Sequence, residues 1–499
     1  MTLEELSLGP GIYPFESGIY EGMYSKVPWK IMQYSGYGTA EQANLNFKRI
    51  LSSGGTGISI AFDLPTQMGI SPTSEIGKYE IGKVGVSINT LDDMRTLLSG
   101  IDLKAVTVSM TINATAGILL LMLQIVAEEN GFDSKNLRGT IQNDILKEFI
   151  ARNTFIFPPD FSLDFTCFIF EYCQKELPLW NPISISGYHF AEAGASPVQE
   201  VGFAISNALE YLSIAQNYDL DLEVLASKFT FFFSVKTNLF EEICKLRAAR
   251  RIWATIMKEK YNFSSKKPLA MKIHAQTAGV QLTANDVENN HARITIQAIA
   301  AVLGGVQSLH TNSHNEALSL PTEYASNIAI NLQNIMLEET DLTKYPDPLN
   351  GSKLITDLTN ELFEKIRLKI DQIESLGGAK NAVKLGFQKS EIEKESYLEF
   401  MKIEKGSKKI IGINSGAKLA STSSNQNLYF NLPKDLQDYR SDTKSAENNL
   451  STEVGEFIEL LRNKVNFMWK LKDLLKKGIT VTEICEILVT EFGRYQSEI

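Results

Sequence analysis

The 499-residue chain carries only four cysteines and five histidines. Cys167, Cys173, Cys244 and Cys485 are scattered, with no Cys-x-x-Cys pair among them. That spacing excludes a disulfide framework and a zinc ribbon, and it predicts a reducing, cytoplasmic compartment. Positive charge is also short: 49 Lys+Arg stand against 59 Asp+Glu, for a net charge of -10. Such a balance argues against a nucleic-acid partner. The one dense basic run, residues 245–251, lies beside Leu246 and Ile252 in an amphipathic pattern and is expected to be a solvated helix face. No apolar run is long enough to cross a bilayer, and the best of them, 117–127, falls well short. The opening MTLEELSLGPG is acidic and has no apolar signal core, so neither export nor a membrane is expected.

Several catalytic signatures are missing as well. Gly77-Lys78 is followed by Tyr79, and no strand feeds a Gly-x-Gly-x-x-Gly, so nucleotide-binding loops are excluded. A hydrolytic triad has no serine elbow or cysteine nucleophile to start it. Glu288-x-x-His291 has the spacing of half a di-iron site, but the second copy is absent and Asn289-Asn290 marks a helix start, so the pair reads as structural. His310 and His314 are four apart but straddle a strand end and a loop. No metal is expected.

What the chain does have is a repeated grammar: a short apolar run, a polar cluster, then helical periodicity. The runs are 57–62, 105–112, 137–142, 183–187, 229–235, 269–273, 306–309 and, after a long gap, 409–413. Apolar strands of this kind are buried on both faces, which marks parallel sheet, and eight of them separated by helices predict an α/β fold, a (β/α)8 TIM barrel. Residues 1–50 carry Gly9-Pro10-Gly11, Pro14 and Pro28 among many aromatics, and read as an arm that wraps a surface. The barrel is expected over 51–417, a Ser/Asn/Asp/Lys-rich linker over 418–445 and a helical tail over 446–499, with helices at 454–477 and 482–492. Thr480-x-x-Glu483 is a candidate capping box for the second.

In such barrels, chemistry gathers at the C-terminal ends of the strands. Three of the five histidines, His189, His274 and His310, fall there, with Asp63, Asn113, Gln142, Gln276 and Asn312. The most informative stretch is LRGTIQNDILKEFIARNTFIFPP, 137–159. Asn143 or Asp144 is placed to cap a helix starting at Ile145, Arg152 closes it, and Pro158-Pro159 forbids continuation. Gln142 and Arg152 thus bracket one strand-helix unit, which suits holding a carbonyl and a planar oxyanion. A plain helix cap and a surface salt bridge would use the same residues. The rim as a whole is neutral, suited to gripping a ligand while a cofactor does the hard chemistry.

GTIQNDILKEFIARNTFIFPP, ISISGYHFAEAGA, and QSLHTNS with Asn315-Glu316-Ala317 behind it resemble the large subunits of the methylmalonyl-CoA mutase and acyl-CoA mutase family. The resemblance implies a barrel whose axial channel admits an acyl-CoA, capped by adenosylcobalamin, with a radical carbon-skeleton rearrangement inside. It implies that His189 hydrogen-bonds the thioester carbonyl with Gln142 beside it, that Arg152 pairs with a substrate carboxylate, and that Tyr34 and Tyr188 line the reacting end. His274, Gln276, Gln307 and Glu316 would lie toward the corrin. Ser59, Ser109, Thr111, Thr140 and Lys228 would contact the CoA arm, clasped by Tyr20 and Met23. Tyr34 with Arg152 points to a dicarboxylic acyl group such as methylmalonyl or ethylmalonyl, rather than isobutyryl.

Two departures qualify these expectations. Gly22, Val27, Lys30 and Met32 stand where the family usually has arginines and threonines for the CoA phosphates, Lys228 replaces an arginine, and Asp63–Gly69 reads DLPTQMG rather than DLPTHRG. No Asp-x-His-x-x-Gly occurs, so no lower-ligand histidine for cobalamin is present. The expectation is a cobalamin-binding small subunit as partner, in a homo- or hetero-oligomer. The competing expectation is a non-catalytic paralogous subunit that stabilises an active one.

Overall fold

Helices pack around the outside of a single sheet. In the computed structural model, which describes residues 9–416, 429 and 451–496, the strands are β1 (Lys30–Ser35), β2 (Gly57–Ala61), β3 (Thr107–Thr111), β4 (Gly139–Ile141), β5 (Ile183–Ser186), β6 (Phe229–Val235), β7 (Lys272–Thr277) and β8 (Ser308–His310). They form one sheet in the order β4-β3-β2-β1-β8-β7-β6-β5, and every ladder is parallel. The remaining gap is stitched by Ile141 N–H donating to Asn181 O at 3.1 Å and Ser184 N–H to Gln142 O at 2.9 Å. The expected eight-stranded α/β barrel is therefore what the chain forms.

The inward register decides what kind of barrel it is. Tyr34 sits opposite Ser59, Ser59 opposite Ser109, and Ser109 opposite Thr140. On the other side Ser184 faces Thr230, Thr230 faces Lys272, and His274 faces Ser308. A TIM barrel normally fills its axis with layers of branched apolar side chains. Here the middle layer is Ser and Thr, too small to meet across the axis, so the barrel stays hollow.

Seven of the eight expected strands are present at the expected places, shifted by a few residues at their ends. The eighth is not residues 409–413. That stretch is a tight turn with a single bridge, Ile411 to Ser415, Gly412 at φ +84 and exposed Ile411 and Ile413. Its place in the barrel is taken by β1, which lies within the stretch expected to be an arm. KIMQYS mixes polar and apolar residues because one face looks into the hollow axis rather than into a dry core.

The basic run at 245–251 is not a solvated face. Lys245, Arg247, Arg250 and Arg251 are all buried on the helix Leu239–Glu259. Lys245 sits between Glu200 at 2.8 Å and Glu242 at 2.5 Å. Arg250 donates to the carbonyls of Phe15 (2.9 Å), Glu16 (2.6 Å) and Gly304 (2.6 Å), while Arg247 reaches Asp347 at 2.9 Å. The amphipathic spacing was misleading because the N-terminal arm and the helix Lys353–Ser375 cover what would be the wet side, and Arg247, Arg250 and Arg251 are the clamp that holds the arm.

The stretch after β4 also differs from expectation. Residues 146–147 make a brief α-turn that widens into a π-helix at Glu148–Arg152, and Asn143 takes φ +47. Arg152 ends that turn, and a new helix, Pro159–Glu176, starts at the second proline. The tail forms three helices rather than two: Ser451–Arg462, Met468–Lys476 and Val481–Phe492, the last opened by the Thr480/Glu483 capping box. Its docking explains the apolar run at 117–127: the helix Ala116–Glu129 is apolar all round because the barrel covers one side and Met468–Lys476 another. Of the expected linker, 418–445, only residue 429 lies within the described residues. Among the described residues no helix is long and apolar enough to cross a membrane.

Candidate functional site

The hollow axis is a cavity of about 960 Å³ that runs the length of the barrel. Its wall includes Lys30, Lys272 and Gln307 near the strand starts, then Ser59, Ser109, Thr140, Ser184 and Thr230, and finally Tyr34, Gln276, His310 and Glu316 at the strand ends. The two ends differ in chemistry.

The mouth at the strand starts is cationic. Lys30, Arg138, Lys228 and Lys272 sit at or just before β1, β4, β6 and β7, and Lys267 precedes β7 in the helix Lys266–Leu269. Burial, then Lys228 and Lys267, hold the Lys272 ammonium down to about 8. Burial and Arg138 likewise lower Lys30. Lys30 Nζ donates to Thr107 Oγ1 at 2.9 Å and Lys272 Nζ to Ser227 O at 2.8 Å. None of the five forms an ion pair among the described residues, although the chain is acidic overall.

The chamber at the strand ends is neutral. Ser186 Oγ lies 2.7 Å from His189 Nδ1, Ser308 Oγ 2.7 Å from His274 Nδ1, and Tyr34 N–H donates to His310 Nδ1 at 3.0 Å. Burial pushes His189 well below the ordinary histidine range, helped by the charges of Lys147 and Arg152, and holds His274 near 4 and His310 near 3. All three are uncharged at neutral pH. Burial also raises the phenols of Tyr34 and Tyr188, so both keep their protons. The Tyr188 ring stacks on Phe232 at 4.7 Å and 8°, and its hydroxyl accepts from Gln276 Nε2 at 2.9 Å.

Behind the chamber lies a buried polar network. Lys147 Nζ donates to Gln142 Oε1 at 2.6 Å, Asn113 Nδ2 donates to the same oxygen at 3.0 Å, and Lys147 pairs with Glu148 at 2.9 Å. With its oxygen engaged twice, the Gln142 amide is turned so that its NH2 faces the cavity. Lys147 and Glu148 are both fully buried, and burial holds Lys147 down to about 8 against the pull of Glu148. Glu148 also accepts from Thr154 N at 3.0 Å and touches Arg152 loosely at 3.5 Å.

Most of the expected site residues line the one cavity: Tyr20, Tyr34, Ser59, Ser109, Thr111, Thr140, Gln142, Tyr188, His189, His274, Gln276, Gln307 and Glu316. Three do not. Met23 is buried in the core against Gly18. Lys228 stands just before β6, off the wall, with its charge felt at Lys272. Arg152 lies off the wall, one-fifth exposed, with its charge felt at Tyr34 and His189. Gln307, expected beside Gln276 and Glu316, precedes β8 at the opposite end of the barrel, where its Oε1 accepts from Ile273 N at 2.8 Å. Sequence reasoning missed Lys147, Phe232, Lys272, Arg138 and Lys267. Period-two alternation in FTFFFSV could have put Phe232 on the face of Thr230, but the five mouth cations come from four different strand starts and meet only in the closed barrel.

Solvent reaches Glu316 through the cavity, but protein surrounds it, and burial pushes its carboxyl up to about 7. Glu192, which accepts from Val280 N at 2.7 Å, is likewise raised to about 7. Beside them Asn312 is buried, with Oδ1 accepting from Gln276 at 2.8 Å and Nδ2 lacking any partner.

The family model described as methylmalonyl-CoA mutase matches residues 2–494 of the chain. A methylmalonyl-CoA mutase of Cereibacter sphaeroides is 39% identical over 100% of the chain and 70% of its own length. A probable mitochondrial methylmalonyl-CoA mutase of Caenorhabditis elegans is 42% identical over 81% of the chain and 54% of its own length. A methylmalonyl-CoA mutase large subunit of Streptomyces virginiae is 40% identical over 83% and 56%. The chain thus spans about half the length of most of these relatives. An eight-stranded barrel with a hollow polar axis, matched from end to end by that family model, makes this chain a member of the methylmalonyl-CoA mutase family.

Proposed function

We propose that the chain is the acyl-CoA-binding part of an adenosylcobalamin-dependent mutase, an isomerase that interconverts a branched dicarboxylic acyl-CoA such as methylmalonyl-CoA with its linear isomer, succinyl-CoA. The observation that carries this reading is the polarity of the cavity: a mouth lined by Lys30 and Lys272, with the charges of Arg138, Lys228 and Lys267 felt there, a shaft lined by Ser and Thr, and a neutral chamber at the far end. A ligand that fits has phosphates at one end, a slender polar arm and a reactive group that must be kept dry. An acyl-CoA has that form. Lys30, Lys272, Lys228, Arg138 and Lys267 then stand in for the family's missing arginines as point charges for the phosphates.

In the chamber, His189 hydrogen-bonds the thioester carbonyl through Nε2, since Nδ1 is engaged by Ser186. The Gln142 NH2 donates beside it, oriented by Lys147 and Asn113. Arg152, held only loosely by Glu148, has guanidinium donors left for a substrate carboxylate. Tyr34 and Tyr188 close the sides as protonated donors. Fixed neutral groups of this kind bind and orient without offering acids or bases to a reactive intermediate.

The strand-end face fits the cofactor. The unpartnered buried Nδ2 of Asn312, the Glu316 carboxyl and the neutral His274 and Gln276 would meet its adenosyl and corrin groups. When bound, adenosylcobalamin supplies radical initiation. These 499 residues hold no Asp-x-His-x-x-Gly, and in this reading a cobalamin-binding partner would supply the lower ligand. The large-subunit name of the Streptomyces virginiae relative supports that arrangement. The four cysteines are free and buried, which fits the reducing cytoplasmic compartment expected.

The deciding experiment is turnover of methylmalonyl-CoA, ethylmalonyl-CoA and isobutyryl-CoA by the chain with adenosylcobalamin and a cobalamin-binding partner. Product from a dicarboxylic substrate alone, and only with the partner present, supports the reading and the role of Arg152. No product from any of the three, despite a formed complex, replaces it with a non-catalytic stabilising subunit.

A further inference from the structure

The loops that follow β7 and β8 bring together three side chains that the cavity does not use. Glu288 and His291 come from the turn that opens the helix Asn290–Leu303, and His314 from the loop beyond β8. One ligand atom from each lies within 4.8 Å of the other two. His291 Nε2 is 3.6 Å from Glu288 Oε2, and the two imidazole rings lie 4.3 Å apart, tilted by 28°.

His314 distinguishes this cluster from a chance surface group. It is 3% exposed, and its Nδ1 has no hydrogen-bond partner. Buried ring nitrogens are normally satisfied, so an unpartnered one asks for a ligand. The backbone that carries it is pinned: the fully buried Asn290 donates to His314 O at 2.8 Å and to Thr283 O at 2.9 Å, and accepts from Thr283 N at 3.1 Å. The nearby Arg293 guanidinium is taken up by Asn290 Oδ1, Thr283 Oγ1 and Ile411 O.

We infer that Glu288, His291 and His314 form a site for a zinc-class divalent cation that ties the loop after β7 to the loop after β8. Two imidazoles and a carboxylate suit a borderline ion such as zinc and leave its fourth position for water. Metal–ligand bonds of ~2.1 Å at tetrahedral angles put ligand atoms about 3.4 Å apart. The Glu288–His291 contact is already close to that, and the rest requires a shift of roughly 1 Å. Side-chain exposures of 50% for Glu288 and 36% for His291 give these two the freedom to swing onto the fixed His314. The sequence showed only half of the set, Glu288-x-x-His291, and a structural role was the natural reading of two ligands. The third comes from 23 positions away and is supplied by the fold. Since the β8 loop also carries Glu316, the ion would brace the rim of the chamber.

The test uses the untagged full chain, stripped with a chelator and titrated with zinc chloride by calorimetry, with zinc-edge X-ray absorption on the loaded protein. We expect one zinc per chain, an absorption signature of two imidazoles, and at least a tenfold loss of affinity in His291→Ala and in Glu288→Gln. Both substitutions are at partly exposed positions outside the cavity, so the fold should survive them. His314→Asn should lose the site as well. No saturable uptake, or uptake unchanged in His291→Ala, overturns the inference.

Discussion

Two fully buried lysines show how differently this fold treats charge. Lys245, under β6, is held by Glu200, Glu242 and the Ser234 carbonyl, and its two carboxylates raise its pKa above the ordinary lysine range despite burial. Lys147, behind the chamber, pairs with Glu148, has Arg152 close by and spends a donor on Gln142. There burial wins and the ammonium is lowered to about 8. Lys245 helps hold a helix that clamps the arm. Lys147 is less well compensated, and what it gains in return is a fixed orientation for Gln142. The same side chain is structural in one network and positions a site residue in the other.

The largest effect that would sharpen this contrast is Lys245→Met. It leaves Glu200 and Glu242 buried together without a cation, and should destabilise the chain by about 3–5 kcal/mol. Chemical denaturation followed by fluorescence checks it, and a loss below 1 kcal/mol would show the network to be wet. Next is Arg152→Ala. If the substrate carboxylate is left buried and unpaired, turnover of a dicarboxylic acyl-CoA should drop by roughly 2–5 kcal/mol of transition-state stabilisation, and unchanged kinetics would remove Arg152 from the site.

Lys147→Met should act on turnover more than on substrate binding. Releasing the Gln142 amide should lower kcat by about tenfold or more, from ~1.5–3 kcal/mol for a charge-assisted hydrogen bond, with a smaller change in KM. Equal damage to the two constants would make Lys147 merely structural. At the other end of the cavity, Lys30→Ala with Lys272→Ala should raise KM for the CoA substrate about tenfold, or ~1.4 kcal/mol, and weaken its salt dependence while sparing kcat. A fall in kcat alone would place the phosphates elsewhere.

A last contrast is in pH, and its sign separates the two lysines. Because the folded-state pKa of Lys147 lies near 8, below that of the unfolded chain, the unfolded state binds the extra proton between about pH 8 and 10.4. Wild type should therefore gain stability relative to Lys147→Met as pH rises from 8 to 10. Lys245 has a raised pKa, so its stabilisation is fully present up to the ordinary lysine range and is lost only above it. The gap between wild type and Lys245→Met should stay constant over the same interval. Denaturation midpoints at pH 8 and 10 read both.

Much of the barrel was legible because parallel strands are buried on both outer and flanking faces and so read as apolar runs. β1 escaped because KIMQYS faces the hollow axis along half its length, and 409–413 was mistaken for a strand because an apolar pentapeptide looks the same in a turn. The tail was legible from its capping box at Thr480 and Glu483, whose spacing is purely local. The basic helix 245–251 was misread because what covers it, the arm around Phe15 and Glu16, comes from 230 residues away.

By itself the sequence determined the fold class, the family motifs and the polar residues at the strand ends, because each depends on neighbours within a few positions. Only the tertiary structure decided that the axis is hollow, that Lys30, Lys228, Lys267, Lys272 and Arg138 share one mouth, and that Lys147 orients Gln142. It also brought His314 to Glu288 and His291. All of these depend on strand register and barrel closure, which bring distant positions to the same height on the axis, and no local pattern in the chain encodes that height.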